Sequence, residues 1–156
     1  MTVWTYFPKE ALAPHMRRRR LIGRRPTADS ELDQVLSRLP QSRLSTDIML
    51  TIASEELAWL TDGAVACDSW TGVTLTNDGA YLVPGQLESI RLCRQDRHFD
   101  ETLSADGAGL CATLFLIQNL QRREVPWSVD GRKVLKQLHS FLDLHPEARA
   151  IRNVLD

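Results

Sequence analysis

"LSADGAGLCATLFLIQNL", Leu103 to Leu120, is the segment on which the fold turns. It opens with small residues and a single carboxylate, Asp106, then runs apolar on almost every side. Ser104 suits a helix N-cap, because a serine hydroxyl accepts a hydrogen bond from a backbone N–H two or three residues on. Asp106, in the first turn, faces the positive end of the helix dipole. Ala105, Ala108, Gly109 and Ala112 fall at i, i+3, i+4 and i+7 and form a smooth stripe that lets another backbone come close. Leu110, Leu114 and Ile117 form a second face, with Phe115 near the end of the smooth one. A helix apolar nearly all round is a buried helix. The expectation is a central rod packed on a sheet and gripped by its neighbours.

Strand signals precede this rod. "WTGVTLTNDGAYLVP" reads as two strands joined by a turn at Asn77-Asp78-Gly79, since Asn and Gly tolerate the positive φ of tight hairpins. Val73 and Leu75 lie on one face, Thr74 and Thr76 on the other, and Pro84 with Gly85 ends the second strand. "LESIRLCR" alternates in period two and gives a third strand, and a short fourth is expected around Phe99 to Leu103.

Helices flank these strands. In "RRPTADSELDQVLSRLP", Asp29 or Ser30 caps a helix, Leu32, Val35, Leu36 and Leu39 make its apolar face, and Pro40 stops it. Met49, Ile52, Ala53, Leu57 and Leu60 recur at helical spacing from about Asp47, with Gly63 as a stop. Val134, Leu135, Leu138, Phe141 and Leu142 set a further helix after Asp130-Gly131. In "HPEARAI", Pro146 suits the first position of a last helix and Glu147 complements its dipole, while His145 reads as a boundary residue. The fold class is therefore α+β: a small antiparallel sheet of three to four strands, about five helices, and one central helix buried.

Length and composition agree with this. At 156 residues, with 43% hydrophobic and 25% charged residues, the chain suits one domain with a real core. No apolar run approaches the ~18–20 residues that span a bilayer, so no membrane association is expected. "MTVWTYFPKE" lacks the basic-then-apolar order of a secretory signal. Cys67, Cys93 and Cys111 are odd in number and lack C-x-x-C spacing, which reads as reduced thiols in a cytoplasmic protein.

The net charge of −1 conceals an asymmetry: residues 1–25 balance at +6 and the remainder at −7. Arg17, Arg18, Arg19, Arg20, Arg24 and Arg25 make a basic arm able to grip phosphates or an acidic partner. The competing reading is a solvated face whose arginine stems cover apolar surface. No base-stacking aromatic pattern accompanies these arginines, so direct DNA binding has little support.

The search for chemistry returns little. His15, His98, His139 and His145 are scattered, and His98 sits in a mixed-charge turn, "RQDRHFDE". Cys111 lies inside an apolar helix, where a thiol is a small inert core residue. Phosphate-loop and dinucleotide glycine motifs are missing. "GAG", Gly107 to Gly109, opens a helix, but Asp106 would repel an anion there. No catalytic residue, cofactor or metal is expected. Exposed loops are the better contact candidates: Asp78 at the hairpin tip, and Arg97 within the tract Arg94 to Asp100. Trp127, near Arg122 and Arg123, adds an aromatic of interaction-site composition.

The central and C-terminal segments resemble the ArdB/KlcA family of antirestriction proteins, small proteins carried by plasmids and other mobile elements. The resemblance rests on Trp70, Asn77, Gly79, Tyr81 and Pro84 in the hairpin, and on Ser104, Ala105, Asp106, Ala108 and Gly109 at the helix start. It continues through Ala112 to Phe115 and ends in "HPEARAI", carrying His145, Pro146 and Glu147. It covers roughly Trp70 to Asp156 of one domain spanning 1–156. Residues 1–46 form a divergent basic arm plus an extra helix, and Cys67, Asp68 and Ser69 stand where family glycines usually precede the tryptophan. The resemblance implies inhibition of type I restriction–modification enzymes, with that enzyme complex as partner, so that incoming plasmid or phage DNA escapes cleavage. Wholesale DNA mimicry is disfavoured, because a decoy needs a dense negative field and the net charge is only −1. The alternative is a nucleic-acid-binding accessory protein of a mobile element that acts through the arginines.

Overall fold

The computed structural model of the chain describes residues 22–27, 32–39, 46–122 and 131–156. Along them run β1 (Arg24–Pro26), α1 (Leu32–Ser37), α2 (Thr46–Leu60), β2 (Trp70–Leu75), β3 (Ala80–Pro84), β4 (Ser89–Cys93), β5 (Asp100–Ser104), α3 (Ala105–Arg122), α4 (Gly131–Leu142) and α5 (Ala148–Leu155). The class is α+β, as the sequence implied, and the expected strands all form. They do not share one sheet. β1–β2–β3 make a three-stranded antiparallel sheet, and β4–β5 make a separate hairpin. After Pro84 the chain turns through Gly85 and Gln86, whose φ of 64° is left-handed, and this reversal takes β4 out of the first sheet.

β1 is the element that sequence reading missed. Arg24 pairs with Leu75 and Pro26 with Val73 at the sheet edge, so this end of the basic tract is a strand and not an irregular arm. Three residues within a run of arginines carry no period-two signal. Pro26 is tolerated because an edge strand leaves one side without ladder partners. The pairing extends beyond the strand through Thr27 N–H, which donates to the Gly72 carbonyl at 2.8 Å.

α3 is the buried axle that its composition predicted. Gly107 through Leu114, then Leu116, Ile117 and Leu120, are all buried. The helix touches β3, β4, β5, α2, α4 and α5. Each buried leucine or isoleucine contributes on the order of 1.5–3 kcal/mol by leaving water. Gly109 shows why the small stripe is needed: a Cβ there would lie 2.8 Å from the Val83 Cα and closer still to the Leu82 carbonyl oxygen. Thr113 fixes the same contact, its hydroxyl donating to the Gly109 carbonyl at 2.8 Å and accepting the Leu82 N–H at 2.9 Å. Ser104 caps the helix as expected, accepting the Gly107 N–H at 3.1 Å.

α2 buries Met49, Ile52, Ala53, Leu57 and Leu60, the face read from its periodicity. Its end is closed by the Gly63 N–H donating to the Ala58 carbonyl at 2.7 Å, with Gly63 at φ 81°. α1 buries Val35 and Leu36; its expected cap, Asp29 or Ser30, and its stop, Pro40, lie outside the described residues. At the last helix, Pro146 precedes the helix and does not open it. Glu147 is the N-cap residue, but its side chain does not cap α5. That carboxylate is spent elsewhere.

Candidate functional site

Four separate segments meet at the carboxylate of Asp106. Arg24 of β1 ion-pairs with it through Nη2. Tyr81 of β3 donates its hydroxyl to the two carboxylate oxygens at 2.9 and 3.0 Å, and accepts from Arg24 Nε at 3.3 Å. His145, in the turn between α4 and α5, places Nε2 2.9 Å from Oδ1. The other ring nitrogen, Nδ1, accepts the Glu147 N–H at 3.0 Å, so the proton of a neutral ring sits on Nε2 and is donated to Asp106. Glu147 completes the lock: its carboxylate accepts both the N–H and the hydroxyl of Ser104. The "SAD" and "HPE" motifs, about forty residues apart by their numbering, are thereby bolted face to face.

The electrostatics follow from this geometry. Burial by itself raises the Asp106 pKa, but the His145 hydrogen bond, the Arg24 charge and the Tyr81 hydroxyl outweigh it and hold the carboxyl below its ordinary range. Tyr81 is pushed well above the usual phenol value, first by burial and then by the negative charge of Asp106. Its ring stacks on Phe141 at 5.7 Å, and Phe141 meets the edge of His145 at 5.9 Å. A His–Asp pair beside a serine and a tyrosine has the composition of acid–base machinery. Here both nitrogens of His145 are engaged, its side chain is 3% exposed, and Ser104 Oγ is held between Glu147 and Gly107. Tyr81 is fully buried. Among the described residues, the polar atoms of Tyr81, Ser104 and His145 are committed within the hub, which joins β1, β3, α3 and the last turn.

A second feature faces solvent. A cleft of about 610 Å³ lies between α2, the β4–β5 loop, the latter half of α3 and the end of α5. Trp59 and Phe115 line it, their ring centroids 5.7 Å apart and tilted by 54°. Arg94 is fixed beside Trp59: its guanidinium carbon is 4.3 Å from a ring centroid, and Nη1 donates to the Trp59 carbonyl at 2.7 Å. Asp96 holds its Nε at 2.8 Å. Arg97 lies over the same tryptophan at 5.4 Å.

The remaining candidates are placed as follows. Trp70 donates its indole N–H to Ser54 Oγ at 2.9 Å and stands opposite Pro84 in the ladder. Asn77 accepts the Gly79 N–H at 3.0 Å and donates to the Gln137 carbonyl at 2.9 Å, pinning the hairpin tip to α4. The left-handed residue of that turn is Asp78, at φ 69°, and it is exposed. Ala108 and Gly109 are buried against the sheet side of α3. Pro146 is exposed and Arg25 half-buried. Arg17, Arg18, Arg19, Arg20 and Trp127 lie outside the described residues. Sequence reasoning placed Thr113 only within the Ala112–Phe115 motif and missed the role of its hydroxyl, whose signal was a lone polar group four residues after a glycine in an apolar helix. It also missed the convergence of Arg24, Tyr81 and His145 on Asp106.

A sequence model of the family described as "Antirestriction protein" matches residues 65–156. The chain belongs to the antirestriction protein family. Two curated relatives, both antirestriction protein KlcA of Escherichia coli, are each 33% identical to it over 90 residues. That stretch is 56% of this chain and 61% or 63% of the relatives, so the match spans less than two thirds of their length. One solved structure, described as showing that KlcA and ArdB have a novel fold and antirestriction activity against Type I DNA restriction systems in vivo but not in vitro, aligns with a TM-score of 0.65. It is 23% identical and covers 86% of this chain and 95% of that one, a likeness of fold. Within this antirestriction family member, Tyr81, Ser104, Asp106, His145 and Glu147 all fall inside the matched region, and Arg24 falls outside it. Among the described residues, no helix is long and apolar enough to cross a membrane, and no three His, Cys, Asp or Glu side chains gather as metal ligands.

Proposed function

We propose that this chain inhibits type I restriction–modification enzymes and so protects incoming plasmid or phage DNA in the cytoplasm. It acts by interfering with the enzyme's protein complex and without catalysis. The observation that carries this reading is the family match over residues 65–156, which contains every motif bolted together at Asp106 except Arg24. A route by DNA mimicry fits poorly with a net charge of −1, because a phosphate ladder presents about one negative charge per 1.7 Å of duplex axis.

The accessory-protein alternative draws on the arginine cluster, and one of its members is already committed: the Arg24 guanidinium is bound to Asp106 and Tyr81. The test is the plating efficiency of unmodified phage on cells with an active type I enzyme, with and without this chain abundantly expressed. Protection is the expected result. Unchanged restriction would overturn the proposal.

A further inference from the structure

We infer that the Trp59 cleft is the surface that receives the partner protein, and that it takes a segment with an apolar anchor side chain flanked by acidic and basic residues. This rests on the antirestriction reading, with the segment belonging to a subunit of the restriction enzyme. At about 610 Å³ the cleft is large enough for several side chains and lies within the usual range of ligand pockets. Trp59 and Phe115 supply apolar surface to its lining, and tryptophan beside arginine is the composition enriched in the few residues that dominate protein–protein affinity.

The rim carries both signs of charge on different elements. Glu55 comes from α2 and Arg97 from the β4–β5 loop, and both are exposed. Arg122 at the end of α3 and Asp156 after α5 add a further exposed charge of each sign to the same lining. Arg94 is tied down by Asp96, Asp62 and the Trp59 carbonyl. Glu56 accepts the Asn119 amide at 2.6 Å. Exposed charges of both signs around the Trp59–Phe115 pair, Glu55 and Asp156 with Arg97 and Arg122, select a bipolar protein segment. A nucleic-acid strand fits worse, because the carboxylates of Glu55, Glu56 and Asp156 outnumber the guanidinium groups of Arg97 and Arg122 along the cleft.

The experiment uses the full chain in cells with an active type I enzyme and compares Arg97→Glu, Glu55→Lys and a control, Lys133→Glu, exposed on α4 away from the cleft. Thermal melts of the purified variants accompany phage plating, and a photo-crosslinking benzoylphenylalanine at Gln118 reports what enters the cleft. Arg97→Glu and Glu55→Lys should each lose protection by at least about tenfold with unchanged melting temperatures. Lys133→Glu should protect like the parent, and the crosslink should form to a restriction subunit. Full protection by both cleft variants overturns the cleft while leaving the antirestriction reading intact. A crosslink to nucleic acid also overturns it. Absence of protection by the parent chain overturns the reading and the cleft together.

Discussion

Replacing Gly109 by alanine adds a single methyl group where α3 lies against β3, and the structure sets its cost. The new Cβ would stand 2.8 Å from the Val83 Cα and 3.1 Å from the Leu82 carbonyl carbon. Carbon atoms pack at about 3.5–4.0 Å, so helix and strand must separate by roughly 1 Å. Both obstacles are backbone, and no side-chain rotation relieves them. The same retreat stretches the 2.9 Å bond from the Leu82 N–H to Thr113 Oγ1 beyond hydrogen-bonding range. Overpacking costs about 1–3 kcal/mol, and a stranded buried N–H costs about 1–3 kcal/mol. Alanine returns about 1 kcal/mol in helix propensity.

The net loss is about 1–5 kcal/mol, a fall of roughly 2–20 °C in melting temperature for a chain of this size. Circular dichroism at the helix band measures it. Thr113→Val removes the acceptor without adding bulk, and the double variant should lose less than the sum of the singles, because both break one bond. A Gly109→Ala protein that melts at or above the parent temperature would refute the close approach.

Three further outcomes follow from the buried groups. Because the Asp106 carboxyl is held below its ordinary 3.8, its contribution to stability is complete above about pH 4 and is lost as pH falls below that value towards the depressed folded pKa. Urea melts from pH 7 to 3 should therefore show a steeper acid loss for the parent than for Asp106→Asn, and equal slopes would count against the ion pair. Tyr81 is one of two tyrosines, and its raised pKa means that it stays protonated in the fold while the unfolded chain ionises near pH 10. Stability should then fall as pH rises above 10, and the 295 nm signal of Tyr81, assigned by comparison with Tyr81→Phe, should appear only on alkaline unfolding. Cys111 is fully buried and its thiol is pushed up by burial and then by Glu147. Cys67 is also buried, whereas Cys93 is half-exposed. Ellman's reagent should label one thiol quickly in the native protein and three after denaturation; rapid labelling of all three would contradict this packing.

The elements that sequence pattern located are those whose signals are local. The α2 face at Met49, Ile52, Ala53, Leu57 and Leu60, the Ser104 cap and the Asn77–Gly79 hairpin each depend on contacts a few residues apart. The division into two sheets did not show, because strand pairing is a choice between distant partners and the same period-two pattern serves either. β1 did not show because its three residues pair with β2 from across the intervening α1 and α2. At the last helix, Pro146 and Glu147 fit a local capping rule, but Glu147 binds Ser104, 43 residues away.

By itself, then, the chain's order of residues determined a buried helix with a narrow small-residue face, a hairpin ahead of it, and the α+β class, because periodicity and capping act within a turn or two. Only the tertiary structure decided what that helix start is for. The partners of Asp106 lie 82, 25 and 39 residues away in Arg24, Tyr81 and His145. Each of those three has an adequate local reading as arm, strand or boundary. A carboxylate pulled out of water must find its hydrogen bonds among whatever the fold brings to it, and that requirement is satisfied in space and not along the chain.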